Sequence, residues 1–220
     1  MARNKYPEET VEKVLQTSLM LFMTKGYDNT TIQDIVDNLD GLTKGAIYHH
    51  FKSKAEIMDA LGEKMFLENN PFTIVKQRED LTSLQKMREI IRLDSASMLK
   101  ASFGMQGIPL MKNPHILASS IEGSRKWVTP LWQELIEAGN LDGSLNVKHP
   151  KEVAEILQVL SGIWLSPAIY PATGEEIYQK FLVFKELLES MGLPLIDESI
   201  LALMQEDIKE LQLWQNASPI

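Results

Sequence analysis

Residues 41–54 carry the side chains whose types and spacing most suggest chemistry. Lys44, Lys52 and Lys54 lie there with His49 and His50, and the stretch contains no carboxylate. Such a patch suits a polyanion, because ammonium groups neutralise phosphate charge. A solvated protein surface is the alternative interpretation, since three fixed charges in 14 residues are few. The elements that position these residues must decide between the two.

The rest of the sequence offers little for catalysis or metal binding. Cysteine is absent, which excludes thiolate nucleophiles, disulfides and cysteine zinc sites. His49 and His50 cannot share one ion, because adjacent helical side chains diverge by about 100°. His115 and His149 are isolated, and the sequence has no glycine-rich phosphate loop or His-Glu-x-x-His motif. We therefore predict a protein that is not an enzyme and that has no cofactor and no metal.

Charge divides the chain into two parts. The 220 residues carry a formal charge of −8, from 22 basic and 30 acidic side chains. Residues 1–54 hold seven of each, so residues 55–220 carry the whole acidic excess. Such a chain is unsuited to coating nucleic acid indiscriminately. The apolar run at 19–23 is too short for a signal peptide or a membrane span, which predicts a cytoplasmic protein without a membrane partner.

Apolar residues recur at helical spacing through almost the whole chain, and no segment alternates with the period of a strand. The pattern predicts a first helix over 7–25, a second opened by a capping box at 30–33, a third capped by Thr43 and a fourth opened by a capping box at 53–56. Later helices are expected over 84–98, 115–122, 127–136, 151–165, 175–191 and 197–214, with a turn at 139–143. The fold class is all-α.

The second and third helices form a helix-turn-helix pattern. Asp40-Gly41 ends the second helix, and Ile47 and Phe51 anchor the third helix through its inward side. Small or polar residues at its N-terminal end can approach base edges in the major groove without steric conflict. Those residues are Thr43, Lys44, Gly45 and Ala46. The residues placed to bond the flanking phosphates are Tyr48, His49, Lys52 and Lys54.

At these residues the sequence resembles the tetracycline-repressor (TetR) family of transcriptional regulators. The similarity runs from Phe22 through Gly26-Tyr27 and residues 30–32 to Ile35, and then from Thr43 to Ile57. Its most specific part is the pattern Gly-x-x-Tyr-x-x-Phe-x-x-Lys, formed by Gly45, Tyr48, Phe51 and Lys54.

The resemblance implies a ligand-released repressor that acts as a homodimer on a near-palindromic operator. Residues 1–54 would form a three-helix DNA-binding domain, and residues 55–220 a larger helical domain for ligand binding and dimerisation. Thr31, Tyr48 and Lys54 look like phosphate contacts, with Thr30 beside them, and residues 43–46 look like the base-facing group. The implied partners are a double-stranded DNA operator, a second copy of the chain and a small apolar or amphipathic effector.

Two sets of apolar residues in the larger domain could serve these partners. Methionine and aromatic side chains suit an adaptable effector pocket, although ordinary core is the alternative at each position. The candidate pocket residues are Met65, Met87, Ile91, Met98, Phe103 and Trp127. Two later helices are apolar enough to face another subunit, with a core role inside one subunit as the alternative. The candidate dimer residues are Leu157, Leu160, Trp164, Phe181, Phe184 and Leu188.

Two other classes of function have less support. A helical sensor that keeps this N-terminal fold but acts through a protein partner would fit the acidic balance. It would also fit the turn at 39–42, which looks one residue longer than the commonest turn of the family. Tight ligand binding without any DNA complex would favour this sensor. An enzyme would need a catalytic constellation that the sequence lacks.

Overall fold

The computed structural model describes residues 7–39, 41–68, 70–102 and 113–217, and all the regular structure in these ranges is helical, as predicted. The helices are α1 (Pro7–Thr24), α2 (Ile32–Asp37), α3 (Lys44–His50), α4 (Lys54–Glu68), α5 (Pro71–Lys76), α6 (Ser83–Ser102), α7 (Pro114–Gly123), α8 (Thr129–Asp142), α9 (Pro150–Val159), α10 (Gly174–Ser190) and α11 (Glu198–Ala217). Two single π-helical turns, Ser124–Val128 and Leu160–Trp164, precede α8 and follow α9.

The first compact unit contains α1 to α4 together with α7. Its core is formed by one buried stripe from each helix, with Phe22, Ile35, Ile47 and Ile57 almost completely inaccessible to solvent. Ile116 of α7 joins the same core. Because α4 packs here, the compact unit extends beyond residue 54. The division into domains at residue 54 concerns function and stays a prediction.

The second compact unit contains α5, α6 and α8 to α11. Met87, Ile136, Leu188 and Ile200 are fully buried at its centre. The Asp142 carboxylate joins two parts of this unit, since it accepts a hydrogen bond from the backbone amide of Ser83 at 2.7 Å, at the start of α6. The second unit is therefore a set of helices packed around one apolar core.

The capping boxes differ from those predicted. Thr31, one residue later than expected, is the N-cap of α2: its hydroxyl accepts from the Asp34 amide, and the Asp34 carboxylate accepts from the Thr31 amide. Ser53 accepts from the Glu56 amide at 3.1 Å, but the Glu56 carboxylate accepts from Lys52 rather than from Ser53. The cap of α3 is confirmed, because the Thr43 hydroxyl accepts from the Ala46 amide at 3.3 Å.

Some helix ends also differ from the prediction. The turn expected at 139–143 is mostly helical, because α8 continues to Asp142 and ends at Gly143, whose φ of +77° suits glycine. The single helix expected over 151–165 becomes α9 followed by a π-helical turn. None of the helices in the described ranges is long and apolar enough to cross a membrane.

Candidate nucleic-acid interface

Helix α3 is held to the first unit along one side only. Ile47 is completely buried and Phe51 nearly so, and both belong to the core formed with α1, α2 and α4. Thr43 caps the helix at its N-terminus, and the backbone amide of Phe51 donates to the Ile47 carbonyl at 2.8 Å at its C-terminus. A short helix anchored in this way presents its opposite side to solvent.

The N-terminal end of α3 is open. Thr43, Lys44 and Gly45 are exposed, and Ala46 is partly exposed. A Cβ atom added at Gly45 would find no neighbour closer than the Thr43 hydroxyl, at 3.8 Å. The end of the helix is therefore narrow and unobstructed, as contact with base edges in a major groove requires.

The predicted phosphate-binding side chains beside this end are accessible as well. Tyr48 is 46% exposed, and His49 and Lys52 are exposed. No carboxylate in the described part of the chain forms an ion pair with Lys44 or Lys52. Exposed ammonium groups that lack a protein partner remain available to phosphate oxygens.

Thr30 does not lie on this surface, which corrects its assignment as a DNA contact. Its side chain is buried, and its hydroxyl donates to the Gly26 carbonyl at 2.8 Å. The hydroxyl therefore closes the loop between α1 and α2, and its burial leaves it no access to a duplex.

Thr31 is exposed, but its hydroxyl is already engaged. It donates to the Asp34 carboxylate at 2.6 Å, and that carboxylate also pairs with Lys25 at 2.6 Å. The Lys25 ammonium first, and Thr31 second, hold the pKa of Asp34 well below its usual range. The sequence pattern Thr-x-x-Asp could have identified this arrangement, and sequence analysis missed it by placing the cap one residue too early.

Lys54 differs from the other lysines of the patch. Its ammonium donates to the backbone carbonyls of Tyr27 and Thr30, at 2.5 and 2.8 Å, and lies 4.2 Å from the centre of the Tyr27 ring. Residues 43–46, Tyr48, His49 and Lys52 are therefore accessible to solvent, whereas the Lys54 ammonium is directed toward the loop after α1.

The predicted effector-pocket residues lie in different environments, and their role stays a prediction. Met87 is fully buried in the core of the second unit, and Met65 is exposed on α4 in the first unit. Ile91 and Trp127 are partly buried in the second unit and stay candidates. Phe103 and the side chain of Met98 lie outside the described residues.

The predicted dimer residues also need correction. Leu157, Phe184 and Leu188 are buried in the core of a single chain, so they cannot face a partner. Leu160, Trp164 and Phe181 are partly buried against that core. Other apolar side chains of α9 and α10 are exposed instead, namely Ile156, Val159, Val183 and Leu187. Sequence analysis missed them because both sides of these helices are apolar.

In the ranges that the structure covers, no group of three or more histidine or acidic side chains is placed to hold a metal ion. Three packed helices with an exposed third helix and accessible lysines define a helix-turn-helix protein.

Comparison with known proteins identifies the family. The sequence model of bacterial regulatory proteins of the tetR family matches residues 14–61. The transcriptional repressor KstR2 of Mycolicibacterium smegmatis is 36% identical over 199 residues, which cover 84% of this chain and 94% of that protein. A probable regulator of Pseudomonas putida, ArpR, is 33% identical over 85 residues, and there the chain spans only 40% of the relative's length.

The fold agrees with this identification. A TetR-family regulator from Agrobacterium tumefaciens superposes with a TM-score of 0.55 over 84% of this chain and 99% of that structure, at 17% identity. This chain belongs to the TetR family, a family of DNA-binding transcriptional regulators and not of enzymes.

Proposed function

We propose that this chain represses transcription as a homodimer that binds a near-palindromic operator and leaves it when a small effector binds. The observation that carries the proposal is the open end of α3, where Lys44 and Gly45 are exposed and Ile47 is buried behind them. The relative KstR2, which aligns over most of both chains, is named a repressor.

The contacts with DNA divide by side-chain chemistry. Residues 43–46 face base edges, because small and polar side chains let the end of a helix approach the base edges of the major groove. Tyr48, His49 and Lys52 bond the phosphates on either side and fix the register. Thr31 reaches a phosphate only if its hydroxyl turns away from Asp34.

We call α3 the reading helix, because its open end faces the bases. A second copy of the chain provides the second reading helix. Val159 of α9 and Val183 and Leu187 of α10 are exposed apolar side chains, which a symmetric interface would bury. Gly162 has open space around it and permits close approach. A dimer bound to two half-sites places its reading helices roughly 34–36 Å apart.

The effector acts on the larger domain. Ile91 and Trp127, both partly buried, are candidate contacts for an apolar or amphipathic molecule. Helix α4 follows the reading helix directly in the chain and leads into that domain. A shift of α4 on binding changes the separation of the two reading helices and weakens the operator complex.

Selection of duplexes from a random pool by the purified full chain tests the proposal. Repeated rounds should enrich a near-palindromic site, and the enriched duplex should form a band in a mobility-shift assay at moderate salt. Folded dimeric protein that enriches no sequence would overturn the proposal. Tight binding of a small molecule by protein that enriches nothing would favour the sensor that acts through a protein partner.

A further inference from the structure

We propose that Lys54 is a positioning residue that fixes the corner between α1 and α2, rather than a phosphate contact. The corner is residues 26–31, and the inference rests on the proposed DNA-binding function. By holding the corner against the start of α4, Lys54 sets where α2 begins and therefore how α3 is presented to a duplex.

The contacts of the ammonium carry this inference. A lysine ammonium has three donors, and here the corner offers three carbonyls: Tyr27 at 2.5 Å, Thr30 at 2.8 Å and Asp28 more distantly at 3.5 Å. The Tyr27 ring supplies a fourth favourable contact at 4.2 Å. An ammonium with all its donors engaged must break these bonds before it can bind a phosphate.

The position of Lys54 in its helix supports the same role. It is the first residue of α4, where the helix dipole disfavours a positive charge. The corner carbonyls and the nearby carboxylates of Asp28 and Asp34 offset this cost. Burial nevertheless outweighs those carboxylates and lowers the pKa of Lys54 below its ordinary value.

Hydrogen bonds inside the corner make it a single unit, so the contacts of Lys54 can hold all of it in place. The Thr30 amide donates to the Tyr27 carbonyl, and the Thr30 hydroxyl donates to the Gly26 carbonyl. Thr31, the next residue, is the N-cap of α2. Movement of the corner therefore moves the start of α2, which packs against α3.

Lys52 provides the matched comparison. It lies two residues earlier and is exposed, whereas Lys54 is half-buried. The substitutions Lys52→Met and Lys54→Met each remove one charge and keep the length of the aliphatic stem. A phosphate contact and a positioning residue should then respond differently.

The first readout is the salt dependence of binding to the selected operator. Lys52→Met should lower the slope of log affinity against log salt concentration by about 0.9 per subunit, the loss of one phosphate contact. Lys54→Met should leave the slope unchanged but reduce the preference for the operator over an unrelated duplex about tenfold. A slope that falls as far in Lys54→Met as in Lys52→Met, with preference intact, would overturn the inference while the proposed function stands.

The second readout needs no DNA. Hydrogen exchange at the Thr30 and Thr31 amides should become about tenfold faster in Lys54→Met, because the corner loses its hydrogen bonds to a charged group. The Val147 amide, which bonds to the Asn140 side chain in the second unit, should keep its rate. Unchanged exchange at the corner would overturn the inference.

A measurement on the unsubstituted chain covers the case in which Lys54→Met does not fold. The Tyr27 ring should shift the NMR signals of the methylene protons beside the Lys54 ammonium upfield, and those of Lys52 should stay at ordinary values. An unshifted Lys54 signal would contradict the contact between its ammonium and the Tyr27 ring, and with it the positioning role. Protein that shows the shift but binds no duplex would instead refute the proposed function, and the positioning role with it.

Discussion

Ile47 and Phe51 lie one helical turn apart on the buried side of α3, and the Phe51 amide donates to the Ile47 carbonyl at 2.8 Å. This pair fixes the orientation of the whole helix, because side chains four residues apart share one face. The opposite face, with Gly45 and His49, is exposed to solvent.

Ile47→Ala should destabilise the first unit. Ile47 is completely buried, and truncation of a buried isoleucine typically costs about 2–5 kcal/mol. Urea denaturation followed by circular dichroism measures the change in the free energy of unfolding. A loss below about 0.5 kcal/mol, the range of surface substitutions, would show that α3 is not anchored through this residue.

Substitution of the next residue, Tyr48→Ala, should weaken DNA binding but leave the stability of the protein almost unchanged. Tyr48 is 46% exposed, so the free energy of unfolding should change by less than about 0.5 kcal/mol. Operator affinity should fall about tenfold through loss of a phosphate contact, at equal cost to operator and unrelated duplexes. Fluorescence anisotropy with labelled duplexes measures both affinities. Unchanged affinity would remove Tyr48 from the interface.

Lys44→Ala should weaken DNA binding and also reduce the preference for particular base pairs. Lys44 is exposed at the open end of α3, and loss of a base contact costs roughly 1–3 kcal/mol at particular base pairs. Affinities for operator variants with single base-pair changes reveal this. A uniform loss across all variants would place Lys44 on a phosphate instead.

Asp142→Ala should destabilise the chain in a pH-dependent way. Hydrogen bonds from Ser144 and Ser83 hold the pKa of Asp142 well below its usual range. A carboxyl whose pKa is depressed by folding stabilises the native state above its unfolded pKa, near 4, and loses that effect as pH falls. The variant should lose about 1 kcal/mol at pH 7, a value reduced for solvent exposure, and the difference should shrink below pH 4. A difference that stayed constant down to pH 3 would contradict this.

Val159→Glu should dissociate the proposed dimer. A charge placed in a buried interface without a partner costs several kcal/mol, so the dissociation constant should rise at least about a hundredfold. Leu141→Glu is the matched control, because Leu141 is 90% exposed and lies outside the proposed face. Sedimentation velocity distinguishes the two variants. Dimers that persist in Val159→Glu would show that the interface does not include Val159.

Local patterns explain what the sequence could predict. The third helix needs only its own cap and two apolar positions, and Thr43, Ile47 and Phe51 lie where they were expected. The role of Lys54 depends on carbonyls 24 and 27 residues away, which no local pattern encodes. Helices α9 and α10 are apolar on two sides, so sequence alone could not tell that Leu157 and Phe184 are core while Val159 and Val183 are exposed.

The footprint of the full chain on its selected operator tests the central claim most directly. Hydroxyl-radical protection at single-nucleotide resolution should show two protected half-sites whose centres are about 10 base pairs apart or a multiple of that, since two α3 helices enter successive major grooves on one face. Substitution of Gly45 by tryptophan, which fills the open end of α3, should abolish this pattern while leaving the protein folded. A footprint that survives this substitution, or one without paired half-sites, would contradict the account.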